Sequence, residues 1–107
     1  MPFRRSYERF LINDWATVIL NETTQKRLLL RDLSVRGAGV VSNYPFQVND
    51  KVKIVIKEPV FDAPVSREAK VIWSNKKEDN LWRSGLDFGL DNELDLGRFF
   101  LKANPAF

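Results

Sequence analysis

The chain has 107 residues, a formal net charge of +3 and 44% hydrophobic residues, which predicts one domain with one hydrophobic core. It contains no His and no Cys. These absences disfavour zinc and most other transition-metal sites, and they exclude cysteine nucleophiles, Ser-His-Asp triads and disulfides. Because the commonest general acid/base residue is missing, the composition favours a binding module over an enzyme.

Neither a targeting sequence nor a membrane span is predicted. The N-terminus is basic, but Asn13 and Asp14 interrupt the apolar residues that follow, which is not the pattern of a signal peptide. No stretch approaches the roughly 18 apolar residues that a spanning helix requires. A chain without Cys fits a reducing compartment, and the expected location is the cytoplasm.

Most of the sequence has the period of half-buried β-strands, in which apolar and polar residues alternate. The clearest case is Val52 to Ile56, where apolar residues alternate with lysines. A charged connection is expected at Ser74 to Asn80. The predicted strands are 15–20, 27–33, 37–41, 52–56, 67–73 and 81–88. The predicted core is Val18, Leu20, Leu28, Leu30, Val41, Val52, Ile54, Ile56, Val71, Leu86, Phe88, Phe99 and Phe100.

The period changes near the C-terminus. Apolar residues at i, i+3, i+4 and i+7, from Leu96 to Ala103, define one face of a helix that Asp91 or Asn92 can cap. Six short strands followed by one helix favour a mainly β fold, a six-stranded antiparallel barrel of Greek-key or split type with a C-terminal α-helix. The single domain would have three parts: a flexible arm at 1–10, the barrel at 11–90 and the helix at 91–104.

Three arginines lie on the N-terminal arm: Arg4, Arg5 and Arg9, the last two spaced as R-x-x-x-R. A guanidinium donates two parallel hydrogen bonds to a phosphate or to the O6/N7 edge of guanine, and it stacks on planar rings. Three of them on one short arm suit a compact, planar anion. Taken alone, the spacing is more typical of a solvated basic tail.

A second motif lies between two predicted strands, where Asp32, Ser34 and Gly37 form D-x-S-x-x-G. Asp and Ser side chains accept from nearby backbone amides and favour a tight turn, and Gly permits close approach to the backbone. Taken alone, the motif is typical of a hairpin turn. A carboxylate also accepts from the N1–H and N2–H₂ donors of guanine, so the two motifs together offer phosphate donors and a base acceptor.

R-x-x-x-R at Arg5 to Arg9, followed by D-x-S-x-x-G at Asp32 to Gly37, resembles the signature of PilZ domains, which bind the bacterial second messenger cyclic di-GMP. Residues 71–73 and 85–88 are similar to the last two strands of that family. Its fold, a six-stranded barrel with a C-terminal helix, matches the elements predicted above. The resemblance covers nearly the whole chain.

The resemblance implies that Arg5 and Arg9 bind phosphates and guanine edges. Arg4 extends the motif to R-R-x-x-x-R. In the family this longer form tends to accompany an intercalated pair of ligand molecules, so two molecules of cyclic di-GMP per domain are expected.

The turn motif would surround one guanine with Asp32, Ser34 and Gly37. Arg36 stands where the family often has Gly, and it either contacts the ligand or is exposed to solvent. Trp73 either borders the site, as an aromatic near this position does in some members, or is a buried core residue, the second being favoured.

The function implied is that of a receptor or adaptor without catalysis and without a cofactor. Ligand binding would order the arm on the barrel, and the changed surface would be read by an unidentified effector protein in motility, exopolysaccharide or biofilm control.

The alternative is a small basic β-barrel that binds single-stranded nucleic acid, which the modest net charge and the acidic C-terminal third disfavour. A phosphodiesterase would need a carboxylate metal site. Its candidates would be Asp87, Asp91, Glu93 and Asp95, which are interpreted instead as helix-capping charge.

Overall fold

The structure, a computed structural model, describes residues 9–20, 24–58, 61 and 63–94. The strands close into an antiparallel barrel in the order β1–β2–β3–β6–β5–β4, with β4 pairing back to β1. The predicted six-stranded antiparallel barrel is therefore confirmed. In chain order the strands are β1 (Phe10–Ile19), β2 (Gln25–Leu33), β3 (Gly37–Ser42), β4 (Lys51–Ile56), β5 (Val65–Glu78) and β6 (Leu81–Asp87).

Alternation along the strands fills the barrel with apolar side chains. In β4, Val52, Ile54 and Ile56 are buried while Lys51 and Lys53 are exposed, because successive side chains of a strand point to opposite faces. All six strands contribute to one buried cluster.

Most of the predicted core is confirmed, with two differences among the described residues. Leu20 and Val41 are only partly buried. Phe99 and Phe100 lie outside the described residues. Several buried residues were not predicted: Ala16, Leu33, Ala38, Val40, Phe46, Ala69 and Leu94.

Two strands, β1 and β5, extend at least five residues beyond one of their predicted ends. β1 begins at Phe10, five residues before the predicted start, and so includes the last residue of the predicted arm. β5 continues to Glu78, so the connection predicted at Ser74 to Asn80 is wrong in extent, and only Asp79 and Asn80 form the turn. Residues 74–78 have no apolar pattern, because most of their side chains are exposed on both faces of the hairpin. They are held in the strand by cross-strand pairing with β6.

The connection between β3 and β4, residues 43–50, helps to close the core. Phe46 is buried, with its ring centroid 4.8 Å from that of Tyr44. The Asn49 N–H donates to the Val71 carbonyl at 2.7 Å, and the Val71 N–H donates to the Asp50 carbonyl at 2.9 Å. These bonds hold the connection against β5 and bring β4 into place beside it.

The segment after β6 is attached to the turn between β2 and β3. Residues 90–92 form one turn of 3-10 helix, and Glu93 is extended. The Leu94 N–H donates to the Val35 carbonyl at 2.9 Å, and the Leu94 side chain is buried. Residues 91–94 are therefore not α-helical, because the backbone of Leu94 bonds to another segment. The rest of the predicted helix, 95–104, lies outside the described residues.

No helix in the described ranges is long and apolar enough to cross a membrane.

Candidate functional site

Five strands each place one residue in a single cross-strand row on the outer face of the barrel. The pairing runs from Leu11 of β1 to Asp32 of β2, Gly39 of β3, Gly85 of β6 and Trp73 of β5. Directly paired residues share a face of the sheet, and the two middle positions of this row, Gly39 and Gly85, contribute no side chain of their own. A cleft of about 280 Å³ lies over this row, and we call it the glycine cleft. Its lining consists of Arg9, Asp32, Arg36, Gly37, Ala38, Gly39, Ile72, Trp73, Arg83, Gly85, Leu86 and Asp87.

A β-bulge in β2 turns Asp32 to the outer face. Leu30 pairs with Val40 and Asp32 pairs with Gly39, so Arg31 is an extra residue without a partner in β3. Leu30 is buried, and strict alternation would direct the side chain two positions later to the core as well. The extra residue reverses this direction and brings the carboxylate into the cleft.

A second bulge, in β5, does the same for Trp73. Val71 pairs with Leu86 and Trp73 pairs with Gly85, so Ile72 is the extra residue. Val71 is fully buried, whereas Ile72 is 48% and Trp73 36% exposed. The core position favoured for Trp73 from sequence is therefore wrong, because the alternation on which it depends stops at the bulge.

Asp32 and Trp73 lie directly against the two glycines. A Cβ at Gly39 would lie 2.7 and 2.9 Å from the two carboxylate oxygens of Asp32, and a Cβ at Gly85 would lie 2.3 Å from Nε1 of Trp73. Any larger residue at either position would take the space of these side chains. The carboxylate of Asp32 therefore lies over Gly39 and the indole of Trp73 lies over Gly85, and these two side chains cover the glycine floor of the cleft.

Arg9 and Asp32, 23 positions apart in sequence, form an ion pair in the cleft. Nη1 of Arg9 contacts Oδ1 of Asp32, which also accepts from the Gly39 N–H at 3.2 Å. The Arg9 side chain is 37% exposed and that of Asp32 is 12% exposed. None of the described residues donates to Oδ2 of Asp32. One oxygen of a largely buried carboxylate thus remains available to a further donor.

Ser34 and Gly37 shape the turn between β2 and β3. The Ser34 N–H donates to the Gly37 carbonyl at 2.8 Å, and the Gly37 N–H donates to Ser34 Oγ at 3.2 Å. Ser34 is buried and does not line the cleft, whereas Gly37 does. A Cβ at Gly37 would lie 2.2 Å from the Leu86 carbonyl oxygen, so this glycine is required by the close approach of β6.

Two further arginines extend the positive lining of the cleft. Arg36 lies 3.6 Å from Asp87, measured from Nη2 to Oδ1, and is partly buried at the edge of the cleft. Arg83 lines the same cleft but was not predicted. It stands two positions before Gly85 in β6, and the alternation of that strand would have placed both on one face. Arg9, Arg36 and Arg83 outnumber the two carboxylates, so the cleft suits an anion.

The structure thus brings together five of the residues singled out from sequence: Arg9, Asp32, Arg36, Gly37 and Trp73. Ser34 supports the turn beside them. Arg4 and Arg5 lie outside the described residues. The pairing of Gly39 with Gly85 could not be predicted from sequence, because the two glycines meet only through the register of β3 and β6.

A larger concavity, of about 680 Å³, lies along β4 and β5. Its positive charges are lysines, among them Lys51 and Lys70, which pair directly across the two strands. It contains none of the residues predicted from sequence to bind ligand, so the chemistry of the glycine cleft makes that smaller cleft the candidate site. Within the described chain, no cluster of three or more acidic side chains could hold a metal ion.

The chain matches the PilZ domain family over residues 3–101, and it therefore belongs to that family. The Borreliella burgdorferi PlzA protein, in a crystal structure with c-di-GMP, is similar, with a TM-score of 0.66 and 17% identity over 92% of this chain and 40% of that one. The Bacillus subtilis inhibitor of motility (MotI/DgrA) is also similar, with a TM-score of 0.63 and 19% identity over 96% of this chain and 50% of that one. At these identities the likeness shows the fold, and the chain spans half or less of each protein. No curated protein sequence matches the chain.

Proposed function

We propose that this PilZ domain is a non-catalytic receptor for cyclic di-GMP and that the glycine cleft holds the ligand. The observation that carries the proposal is the row Asp32–Gly39–Gly85–Trp73, in which a carboxylate and an indole lie over two glycines on neighbouring strands. PlzA, which shares the fold, was solved in complex with c-di-GMP, and this supports the choice of ligand.

Each part of the cleft matches one part of the ligand. Because Gly39 and Gly85 have no side chains, Asp32 and Trp73 lie close to the main chain and leave the space above them to a purine. The Asp32 carboxylate accepts from the N1–H and N2–H₂ groups of guanine, and the indole of Trp73 offers an apolar surface to the ring. Guanidinium groups from Arg9 and from Arg83 suit the phosphates and the O6/N7 edge.

The ion pair between Arg9 and Asp32 gives the proposal a mechanism. Arg9 contacts the carboxylate that a guanine would need, so a bound guanine must share or replace that contact. The freed guanidinium can then bind a phosphate, which changes the position of the chain just before β1. We infer that this change is the signal, that Arg4 and Arg5 take part in it, and that a protein partner reads it. MotI/DgrA, an inhibitor of motility, supports motility as one process in which such a partner acts.

Isothermal titration calorimetry with cyclic di-GMP tests the proposal. We expect a saturable heat with a dissociation constant of roughly tens of micromolar or below, and a stoichiometry of two ligand molecules per domain. Absence of heat in this range would refute the receptor function. A stoichiometry of one would keep the receptor and refute the intercalated pair.

The same titration with a single-stranded oligonucleotide addresses the alternative function. Oligonucleotide binding that weakens steeply with added salt, in a chain that gives no heat with cyclic di-GMP, would favour the nucleic-acid binder.

A further inference from the structure

A second cross-strand row on the outer face, next to the glycine cleft, is apolar. Trp15 of β1 pairs with Leu29 of β2, Leu29 with Val41 of β3, and Val41 with Arg83 of β6. Trp15 is 58% exposed, and the other two apolar side chains are partly exposed. Three apolar side chains side by side on an outer sheet face form a contiguous patch, which is typical of a surface that contacts another molecule.

Arginines border this apolar row. The guanidinium carbon of Arg27 lies 4.9 Å from the centroid of the Trp15 ring. Arg31 follows Leu29 on the same face of β2, and Arg83 ends the row. We call these six residues the Trp15 face: Trp15, Leu29, Val41, Arg27, Arg31 and Arg83. None of its three arginines forms an ion pair with another residue of the described ranges.

The carboxylate nearest in sequence is directed elsewhere. Asp14 accepts from the Trp15 N–H at 2.7 Å. Among the described residues it forms no ion pair with the arginines of the Trp15 face. The face is apolar along its middle and positive at its border.

We propose that the Trp15 face docks an acidic segment of a protein partner, one whose carboxylates alternate with apolar side chains. The carboxylates would pair with Arg27, Arg31 and Arg83, and the apolar side chains would cover Leu29 and Val41. A guanidinium group can donate two parallel hydrogen bonds to one carboxylate. We therefore expect the docked segment to be negatively charged.

Two other occupants fit the face less well. Single-stranded nucleic acid is held by base stacking on several aromatic rings. This face has one such ring, Trp15, which Arg27 already covers on one side, and its remaining apolar residues are aliphatic. A second copy of the chain in a two-fold contact would place this positively bordered face against an identical one, which offers no carboxylates to pair with the arginines.

The docking surface does not depend on the proposed receptor function, but its regulation does. Arg83 belongs both to the Trp15 face and to the glycine cleft. If cyclic di-GMP fills the cleft, a phosphate competes with the partner for this guanidinium. Ligand binding should then change the affinity of the acidic segment.

Selection from a displayed library of random peptides tests the proposal. The full chain is the target, and peptides that also bind the Leu29→Lys variant are removed before each round. We expect enrichment of peptides in which Asp or Glu alternates with Leu, Ile, Phe or Trp. The best peptide should bind the Leu29→Lys and Arg27→Glu variants at least about tenfold more weakly than the wild type. A Val48→Lys variant, changed at a 53% exposed position outside the face, is the matched control and should bind as the wild type does.

Three outcomes would overturn the proposal: enrichment of neutral or basic peptides, equal binding to the Leu29→Lys variant, or an oligonucleotide that binds this face more tightly than any acidic peptide. Titration of the same variants with cyclic di-GMP separates the two proposals. A chain that binds the acidic peptide but not cyclic di-GMP would refute the receptor and retain the docking surface. A chain that binds cyclic di-GMP but no acidic peptide would refute the docking surface and retain the receptor.

Discussion

Asp32 and Trp73 lie at opposite ends of one cross-strand row, and their side chains lie over the two glycines between them, Gly39 and Gly85. The carboxylate and the indole are therefore closer together than the three strand spacings, about 14 Å, that separate the main chains of the two residues. The two ends differ in chemistry, since one accepts hydrogen bonds and the other offers an apolar ring. A ligand with a polar base edge and a flat surface suits this arrangement, and each part of the arrangement can be tested separately.

Replacement of the Asp32 carboxylate tests the acceptor. Asp32→Asn keeps the shape of the side chain and its bond from the Gly39 N–H, but it replaces one acceptor oxygen by a donor. A hydrogen bond to a charged group contributes about 1.5–3 kcal/mol, so we expect calorimetry to show cyclic di-GMP binding weakened by about 10- to 150-fold. Asp79→Asn makes the same charge change at a turn residue whose side chain is 97% exposed and should leave affinity unchanged. Equal affinities for the two variants would remove Asp32 from the site.

Replacement of Arg9 tests the guanidinium. Arg9→Ala should weaken cyclic di-GMP binding by at least about tenfold, and Arg9→Lys should restore only part of the loss, because an ammonium cannot fork onto a phosphate. The ion pair with Asp32 is partly exposed, so the free energy of unfolding should fall by less than about 1 kcal/mol. Lys57→Ala, at an exposed position just after β4, is the charge-matched control. Full rescue by Lys would show that charge alone matters at position 9.

A double-mutant cycle tests the contact between Gly85 and Trp73. Gly85→Ala puts a Cβ where the indole lies, and we expect urea unfolding to show a loss of about 1–3 kcal/mol. The indole N–H signal of Trp73 should also shift in the NMR spectrum. Gly85→Ala in a Trp73→Ala background has no indole to displace, so its effect should be much smaller. Additive losses in the double variant would contradict the direct contact.

Tyr44 gives a prediction for stability and its dependence on pH. Its hydroxyl is buried and has no hydrogen-bond partner among the described residues. Tyr44→Phe keeps the ring beside Phe46 and should leave the free energy of unfolding at neutral pH unchanged or raise it by up to about 1 kcal/mol. Ser84→Ala removes a buried hydroxyl that does have a partner, Ser74 Oγ at 2.9 Å, and should be destabilising.

Burial raises the pKa of Tyr44 above its ordinary value. The unfolded chain therefore releases the Tyr44 proton at about pH 10, where the folded chain retains it. Stability is present in full below that pH and is lost as the pH rises above it. The advantage of Tyr44→Phe over the wild type should thus be larger in urea titrations at about pH 11 than at about pH 8. An advantage independent of pH would contradict the burial of this hydroxyl.

The barrel could be predicted from sequence because its strands have a clear local pattern. Val52, Ile54 and Ile56 alternate with lysines, and this alternation is the reason that they are buried. The far part of the β5–β6 hairpin, from Ser74, could not be predicted in the same way, since nothing apolar marks a strand whose two faces are both largely exposed. The extent of β5 beyond Ser74 is determined only by its pairing with β6.

The site was predictable only in part, for a related reason. The two motifs predict that Arg9 and Asp32 lie together, because their chemistry is complementary and their order along the chain is informative. The direction of Trp73 depends on a bulge, and a bulge is a property of two paired strands. The meeting of Gly39 with Gly85, and the place of Arg83 beside them, likewise depend on register between distant segments.

The extra residue in β5 has a consequence for how such a site can arise. Ile72 is an extra residue on the outer face of β5. The pairs on either side of it, Val71 with Leu86 and Trp73 with Gly85, remain in register. One inserted residue is therefore enough to place an additional side chain beside the glycine cleft without changing the pairing on either side of it. A barrel without this residue would keep the same pairing and have one apolar side chain fewer at the edge of the cleft. Variation in ligand preference within such a barrel can then come from the length of a strand as readily as from the identity of its residues.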